Sequence, residues 1–213
     1  MKLYNFFSSG TSYRTRIALN LKGLKYQYVP VNLRAAEEYG AEYKALNPQG
    51  LVPTLVLEDG TTLTQSPAII EWLEEKYPEP SLLPKDLTER AHVRALAAII
   101  GCDIHPINNK RILDYLRSHY AQDDAGINTW CGEWIHAGFA AYEQLLLNQP
   151  TRGKFSFGDT PTIADTYLIP QLFSARRFKV DLTTYPTILA IEQHCQALPA
   201  FADAAPSRQP DAV

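Results

Sequence analysis

Five places in this chain gather residue types that can do chemistry. Ser8-Ser9-Gly10-Thr11-Ser12 lies between an aromatic run and a segment with helical spacing. A strand-to-helix loop collects free backbone N–H groups and the positive end of the helix dipole, so it favours an anion such as a phosphate or a thiolate. Ser9, Thr11 and Ser12 add hydroxyl donors, although an ordinary helix cap with spare serines reads the same way. At Leu51-Val52-Pro53-Thr54 a proline opens a strand. A cis bond there would turn the Val52 N–H and C=O outward to pair with an extended peptide, whereas a trans proline on an edge strand is the commoner form. Gln65-Ser66 precedes a helix and offers a hydroxyl and an N–H to a carboxylate, or simply caps that helix. His105, Asn108, Asn109, Lys110 and Arg111 bunch around Pro106 at a helix break, where polar caps are needed in any case. Arg176-Arg177, beside Phe173 and Phe178, suits a carboxylate, as it would a surface ion pair.

Composition narrows the chemistry. The 213 residues carry a formal charge of −3, with 46% hydrophobic and 20% charged residues. That is ordinary globular composition, neither disordered nor basic enough for a nucleic-acid partner. Cys102, Cys131 and Cys195 are widely spaced, with no Cys-x-x-Cys, so no zinc site or disulfide framework is expected and a reducing compartment fits. His92, His119, His136 and His194 lack metal-ligand spacing, and no Walker, Gly-x-Gly-x-x-Gly or Gly-x-Ser-x-Gly motif occurs. The longest apolar run, Ala95 to Ile100, is far below a membrane span, and the N-terminal run is too short for a signal peptide. A soluble, cytoplasmic protein with no metal, membrane or nucleic-acid partner is expected.

The elements that must position these residues follow from periodicity. Leu3 to Phe7 reads as a strand, Tyr13 to Leu21 as a helix ended by Gly23, and Tyr26 to Val31 as a second strand. Ala41 to Asn47 is a short helix stopped by Pro48. Thr54 to Leu57 and Thr62 to Thr64 flank an Asp59-Gly60 turn. Ser66 as N-cap and Pro67 then open a helix to Tyr77. Pro78, Pro80 and Pro84 mark a linker, and the rest reads as helix: Leu87 to Cys102, Asn108 to Tyr120, and a stripe Trp130, Trp134, Gly138, Tyr142 and Leu145 from Ile127. Both tryptophans are read as core. Thr162 to Asp165 opens another helix with a capping-box pattern, and Pro186 opens the last, to Leu198. Ser12 is read as the cap of the first helix, and the tail from Ala205 to Val213 is expected to fray. The order β-α-β-α-β-β-α then all-α predicts a domain over residues 1–83 and a helical one over 88–213.

Together these positions resemble a glutathione transferase, most closely the zeta class of maleylacetoacetate and maleylpyruvate isomerases. The resemblance rests on Ser9-Gly10-Thr11-Ser12-Tyr13-Arg14, Ala45 to Gln49, Val52-Pro53-Thr54-Leu55, Gln65 to Leu73, and Arg177 to Thr183 with Tyr185-Pro186. It implies the glutathione transferase fold: a thioredoxin-like N-terminal domain followed by a helical C-terminal domain, in a homodimer. Gly10 and Thr11 match the maleylpyruvate type, while Ser8 stands where the family usually has an arginine. Carried over by residue, the resemblance implies that glutathione is the cofactor. Gln65 and Ser66 would hold its γ-glutamyl end, Val52 before a cis Pro53 its cysteinyl backbone, and Ser9, Gly10 and Thr11 its sulfur. His105, Asn109 and Arg111 would complete the pocket. The implied activity is cis–trans isomerisation of a maleyl dicarboxylate in aromatic catabolism. Thiolate addition makes the conjugated double bond single, rotation follows, and elimination restores it in trans. Ser9, Thr11 and Arg177 would be catalytic, with Arg111 a further counter-charge to the developing enolate. Conjugation of glutathione to electrophiles is the alternative.

Overall fold

Short β-forming runs pair around a buried centre in the first part of the chain. The computed structural model describes residues 1–149 and 153–212. Contacts divide the chain into one unit of Met1–Ser81 with Gln196–Val213 and another of Leu82–Cys195. In the first, β1 (Lys2–Asn5), β2 (Gln27–Pro30), β3 (Thr54–Val56) and β4 (Thr62–Thr64) form one sheet in the order β2-β1-β3-β4. β1 runs parallel to β2, with Leu3 opposite Tyr28, and antiparallel to β3, with Leu3 opposite Leu55. A parallel pair needs a crossover, and α1 (Gly10–Leu21) supplies it. A short helix α2 (Ala41–Leu46) precedes β3, and α3 (Ser66–Lys76) follows β4 and packs on α1. Leu3, Ile17, Leu55, Ile69, Ile70 and Leu73 are sealed from solvent between sheet and helices. Buried Lys22 reaches Glu74 Oε2 at 2.6 Å and the carbonyls of Tyr77 and Pro80 at 2.7 Å each, which pins the linker to α1.

Two caps differ from the sequence expectation. The first helix begins at Gly10, and its N-cap is Ser9, whose Oγ accepts from the Ser12 N–H. Ser12 lies inside the helix, fully buried, with its Oγ accepting from the Phe6 N–H at 3.3 Å. In a row of small hydroxyl residues, periodicity does not say which one caps; the direction in which the chain leaves β1 decides. Likewise Gln65, at φ 66°, occupies the cap position of α3, and Ser66 is already helical.

The second unit is helical: α4 (Leu87–Ala98), α5 (Lys110–Tyr120), α6 (Asp124–Asn148), α7 (Ile163–Arg177) and α8 (Pro186–Gln196). α4 widens into a π-helical segment, Ile99–Ile104, ahead of Pro106, whose missing N–H cannot continue the ladder. Gly138 on α6 allows that segment in: a Cβ there would sit 2.3 Å from Ile104 Cδ1. The buried stripe of α6 is Ile127, Cys131, Ile135, Phe139, Tyr142 and Leu146, so it keeps Ile127 and Tyr142 of the expected one and elsewhere lies one residue further along. Trp134 is exposed, and half-buried Trp130 donates its indole N–H to the Ile107 carbonyl at 3.1 Å. α6 is apolar on two adjacent stripes, and spacing alone does not choose between them. α7 carries the expected capping box, in which Asp165 accepts from the N–H groups of Ser156 and Thr162 at 2.8 and 2.7 Å. Burial pushes the Asp165 carboxyl up, and those donors pull it down.

The C-terminal tail does not fray over its described part; Val213 lies outside the described residues. After α9 (Pro199–Ala202) comes a 3₁₀ turn, Pro206–Arg208. The Ala204 carbonyl accepts from Arg16 Nε at 3.0 Å and the Ala200 carbonyl from Asn20 Nδ2 at 3.0 Å. A buried guanidinium needs acceptors, and the tail provides one of them.

Candidate functional site

Three of the sequence-expected positions meet in the first unit, joined by the loop 47–53. Thr11 Oγ1 donates to the Val52 carbonyl at 2.8 Å, which links the N-terminus of α1 to that loop. At its other end Gln65 Nε2 donates to Gln49 Oε1 at 2.6 Å, which links it to the N-terminus of α3. Asn47 and Tyr43 hold the loop from beneath. The Leu51 carbonyl accepts from Asn47 Nδ2 and Tyr43 Oη at 2.7 Å each, and Asn47 Oδ1 accepts from the Gln49 N–H. Gly50, at φ 64°, allows the turn, since a Cβ would crowd the Glu38 carbonyl at 3.0 Å. The Val52–Pro53 bond is cis. Among the described residues, the Val52 N–H donates to no backbone acceptor.

Hydroxyl protons can be assigned one by one. Thr11 has one proton, and the Val52 carbonyl takes it. The 2.9 Å contact between Ser9 Oγ and Thr11 Oγ1 then requires Ser9 to donate. Ser9 Oγ in turn accepts from the Ser12 N–H at 3.3 Å. Ser9 is thus the hydroxyl whose proton can turn to an incoming anion, because Thr11 keeps its bond to Val52 when Ser9 lets go. Both hydroxyls sit half-buried at the positive end of α1. At the other helix terminus, Ser66 Oγ is buried with no hydrogen-bond partner among the described residues. A buried hydroxyl without a partner is costly, and at a helix N-terminus a carboxylate oxygen would satisfy it.

The remaining expected residues stand in the second unit. His105 is half-buried just after the π-helical segment, and Asn109 caps α5 by accepting from the Arg111 N–H at 3.2 Å. Arg111 is exposed in the first turn of that helix. Arg177, exposed at the end of α7, lays its guanidinium 5.0 Å from the Phe178 ring centroid. Arg176 differs: it forms a two-pronged pair with Glu192 at 2.5 Å on both arms, and that bonding holds its pKa above the usual value. Burial pushes the Cys131 thiol up to about 11 and raises Cys195 further, so neither supplies a thiolate at neutral pH. Sequence reasoning missed the scaffold of the site: Tyr43, Asn47, Gln49 and Arg16. Pro48 was legible as the stop of the short helix before it, but nothing local says that the amides of Asn47 and Gln49 face Leu51 and Gln65. Among the described residues no helix is long and apolar enough to cross a membrane.

Comparison with known proteins agrees with this geometry. Residues 8–76 match the family model described as glutathione S-transferase, N-terminal domain. The chain is 62% identical to maleylpyruvate isomerase of a Ralstonia species over 214 residues, covering 100% of both. It superposes with a TM-score of 0.98, at 62% identity and 100% coverage of both chains, on the holo structure of a maleyl pyruvate isomerase described as a bacterial zeta-class glutathione S-transferase. A maleylacetoacetate isomerase from Anaeromyxobacter dehalogenans, solved with dicarboxyethyl glutathione and citrate in its active site, is 45% identical with a TM-score of 0.89. That match covers 100% of this chain and 97% of the other.

Proposed function

The chain belongs to the glutathione S-transferase family, in its zeta class, and we propose that it isomerises a maleyl dicarboxylate, maleylpyruvate or maleylacetoacetate, to the fumaryl form with glutathione as cofactor. One observation carries the reading: the loop 47–53 ties two helix N-termini together, with a Val52 N–H that donates to no backbone acceptor between them and, among the described residues, the unpartnered Ser66 hydroxyl at one end. That set suits a tripeptide with a carboxylate at one end and a sulfur further along. Bound glutathione supplies a thiolate that adds reversibly to the conjugated double bond, which leaves it free to rotate. Gln65 and Ser66 hold the γ-glutamyl end, and Val52 pairs with the cysteinyl backbone. Ser9, turning from Thr11, donates a hydrogen bond to the thiolate sulfur while keeping its proton, and the first N–H groups of α1, from Gly10 onward, add partial positive charge. By the same reading Arg177 and Arg111 are assigned to the substrate's carboxylates and the charge that develops beside them, and His105 and Asn109 to glutathione.

The finer assignments belong to the same reading. A homodimer in the cytoplasm, acting in aromatic catabolism, fits a chain whose three cysteines are all free thiols. Ser8 favours a second reading, conjugation of glutathione to uncharged electrophiles, because a usual carboxylate partner is missing there. Steady-state turnover of both maleyl substrates, with and without glutathione, separates the readings. Isomerisation that requires glutathione is expected. Conjugation of a chlorinated aromatic with no isomerisation of either dicarboxylate would leave the second reading standing.

A further inference from the structure

The segment that carries Ser9 has no ladder of its own, since β1 ends at Asn5 and α1 begins at Gly10. Side chains from elsewhere hold its backbone. Arg16, fully buried, donates Nη2 to the Phe7 carbonyl at 2.8 Å and Nη1 to Asn5 Oδ1 at 2.9 Å. The Phe7 N–H donates to Asp211 Oδ2 at 3.1 Å, across 204 positions of sequence. The other oxygen of that carboxylate accepts from the Tyr28 hydroxyl on β2. Ala212 packs on the cluster of Phe6, Phe7, Val31, Tyr43 and Val52. The end of the chain therefore grips the peptide two residues before Ser9, and it packs on the cluster to which Val52 belongs.

We propose that Asp211 is a positioning residue for the sulfur site: through the Phe7 N–H it fixes where the N-terminus of α1, with the Ser9 hydroxyl, meets the sulfur. The inference deepens the reading of Ser9 as the hydroxyl that binds the sulfur and rests on it. Its effect is geometric rather than electrostatic. A carboxylate beside a thiolate would disfavour the anion, so charge alone predicts the opposite sign. The charged neighbours are consistent with this. Arg16 is buried within electrostatic reach of Asp211, with its own hydrogen bonds going to Asn5, Phe7 and Ala204, and burial keeps the Tyr26 and Tyr28 phenols above their usual pKa and thus neutral. Displacing a positioned donor by an ångström costs up to about a hundredfold in rate, so a moderate loss is expected when the grip is released.

The test uses the full-length enzyme with glutathione. Asp211→Ala, Asp211→Asn, Tyr28→Phe and Ser9→Ala are compared by circular dichroism, by titration of the bound glutathione thiolate absorbance, and by kcat and KM. Asp211→Ala is expected to lower kcat about tenfold and raise the bound thiol pKa, with KM for the dicarboxylate nearly unchanged. Asp211→Asn should restore both, because the amide oxygen still accepts from Phe7 while its NH2 can donate to the Tyr28 oxygen. Tyr28→Phe should fall between. A folded Asp211→Ala enzyme with wild-type titration and kcat, where Ser9→Ala does shift the titration, overturns the role of Asp211. If Asp211→Ala does not fold, wild-type titration by Tyr28→Phe overturns it instead. An unchanged titration in Ser9→Ala overturns the sulfur reading itself, and the proposal with it.

Discussion

At the scale of residues, Ser9 and Thr11 look equivalent in sequence and are not so in the structure. Thr11 spends its proton on the Val52 carbonyl, so its role is to hold the peptide-pairing edge, whereas the Ser9 proton can be redirected. Ser9→Ala is therefore expected to raise the pKa of bound glutathione, seen in the thiolate absorbance, and to cost about 1 kcal/mol of stability through the lost cap. Thr11→Val should act mainly on binding, raising KM for glutathione. Equal effects of the two on both quantities would refute the division of labour. The arginine pair divides too. Arg177→Ala should lower kcat/KM for a maleyl dicarboxylate by about tenfold or more, since a charge-assisted bond contributes roughly 1.5–3 kcal/mol. Conjugation of an uncharged electrophile should change little. Arg176 is committed to Glu192, whose side chain is only 7% exposed, so Arg176→Ala should spare both activities and instead lower stability, by removing the two-pronged partner of a buried carboxylate. Loss of both activities in Arg177→Ala would move that residue into the fold or the glutathione site.

At the scale of elements, the caps matter most, because they aim the helices that carry the site. Asp165 is fully buried and serves two backbone N–H groups and the Thr162 hydroxyl at once. Removing it orphans two buried donors, each costing about 1–3 kcal/mol. Asp165→Ala should thus destabilise the protein by about 3 kcal/mol, read as a lower urea midpoint with an unchanged slope. A midpoint within error of wild type would show that water or repacking replaces the carboxylate. This cap was legible, because Thr162 and Asp165 bond to each other across a fixed local spacing. The caps of α1 and α3 were not. Several residues in each place could have filled the role, and the choice was made by how the chain leaves β1 and β4. The buried stripe of α6 went astray for a related reason: two apolar faces share the helix, and only the elements packed on it select one.

At the scale of the whole molecule, the zeta-class reading brings a homodimer with it. Sedimentation at micromolar concentration should give close to twice the 23.9 kDa chain mass, and a species at the chain mass alone would contradict it. By itself the sequence determined the order of strands and helices, and it picked out the short segments to which glutathione binding is assigned as a proposal. Those are set by contiguous patterns: apolar periodicity, proline and glycine punctuation, and a few adjacent residues at helix starts. The scaffold around those segments was decided by the tertiary structure alone. Arg16 reads from sequence as a helix arginine seeking an ion pair, yet it holds the carbonyls of Phe7 and Ala204. Asp211 reads as part of a fraying tail, yet it bonds the Phe7 peptide beside the loop that carries Ser9. Local pattern cannot reveal either role. A buried polar group must find partners wherever the fold brings them, and Ala204 lies 188 positions from Arg16 and Asp211 lies 204 from Phe7.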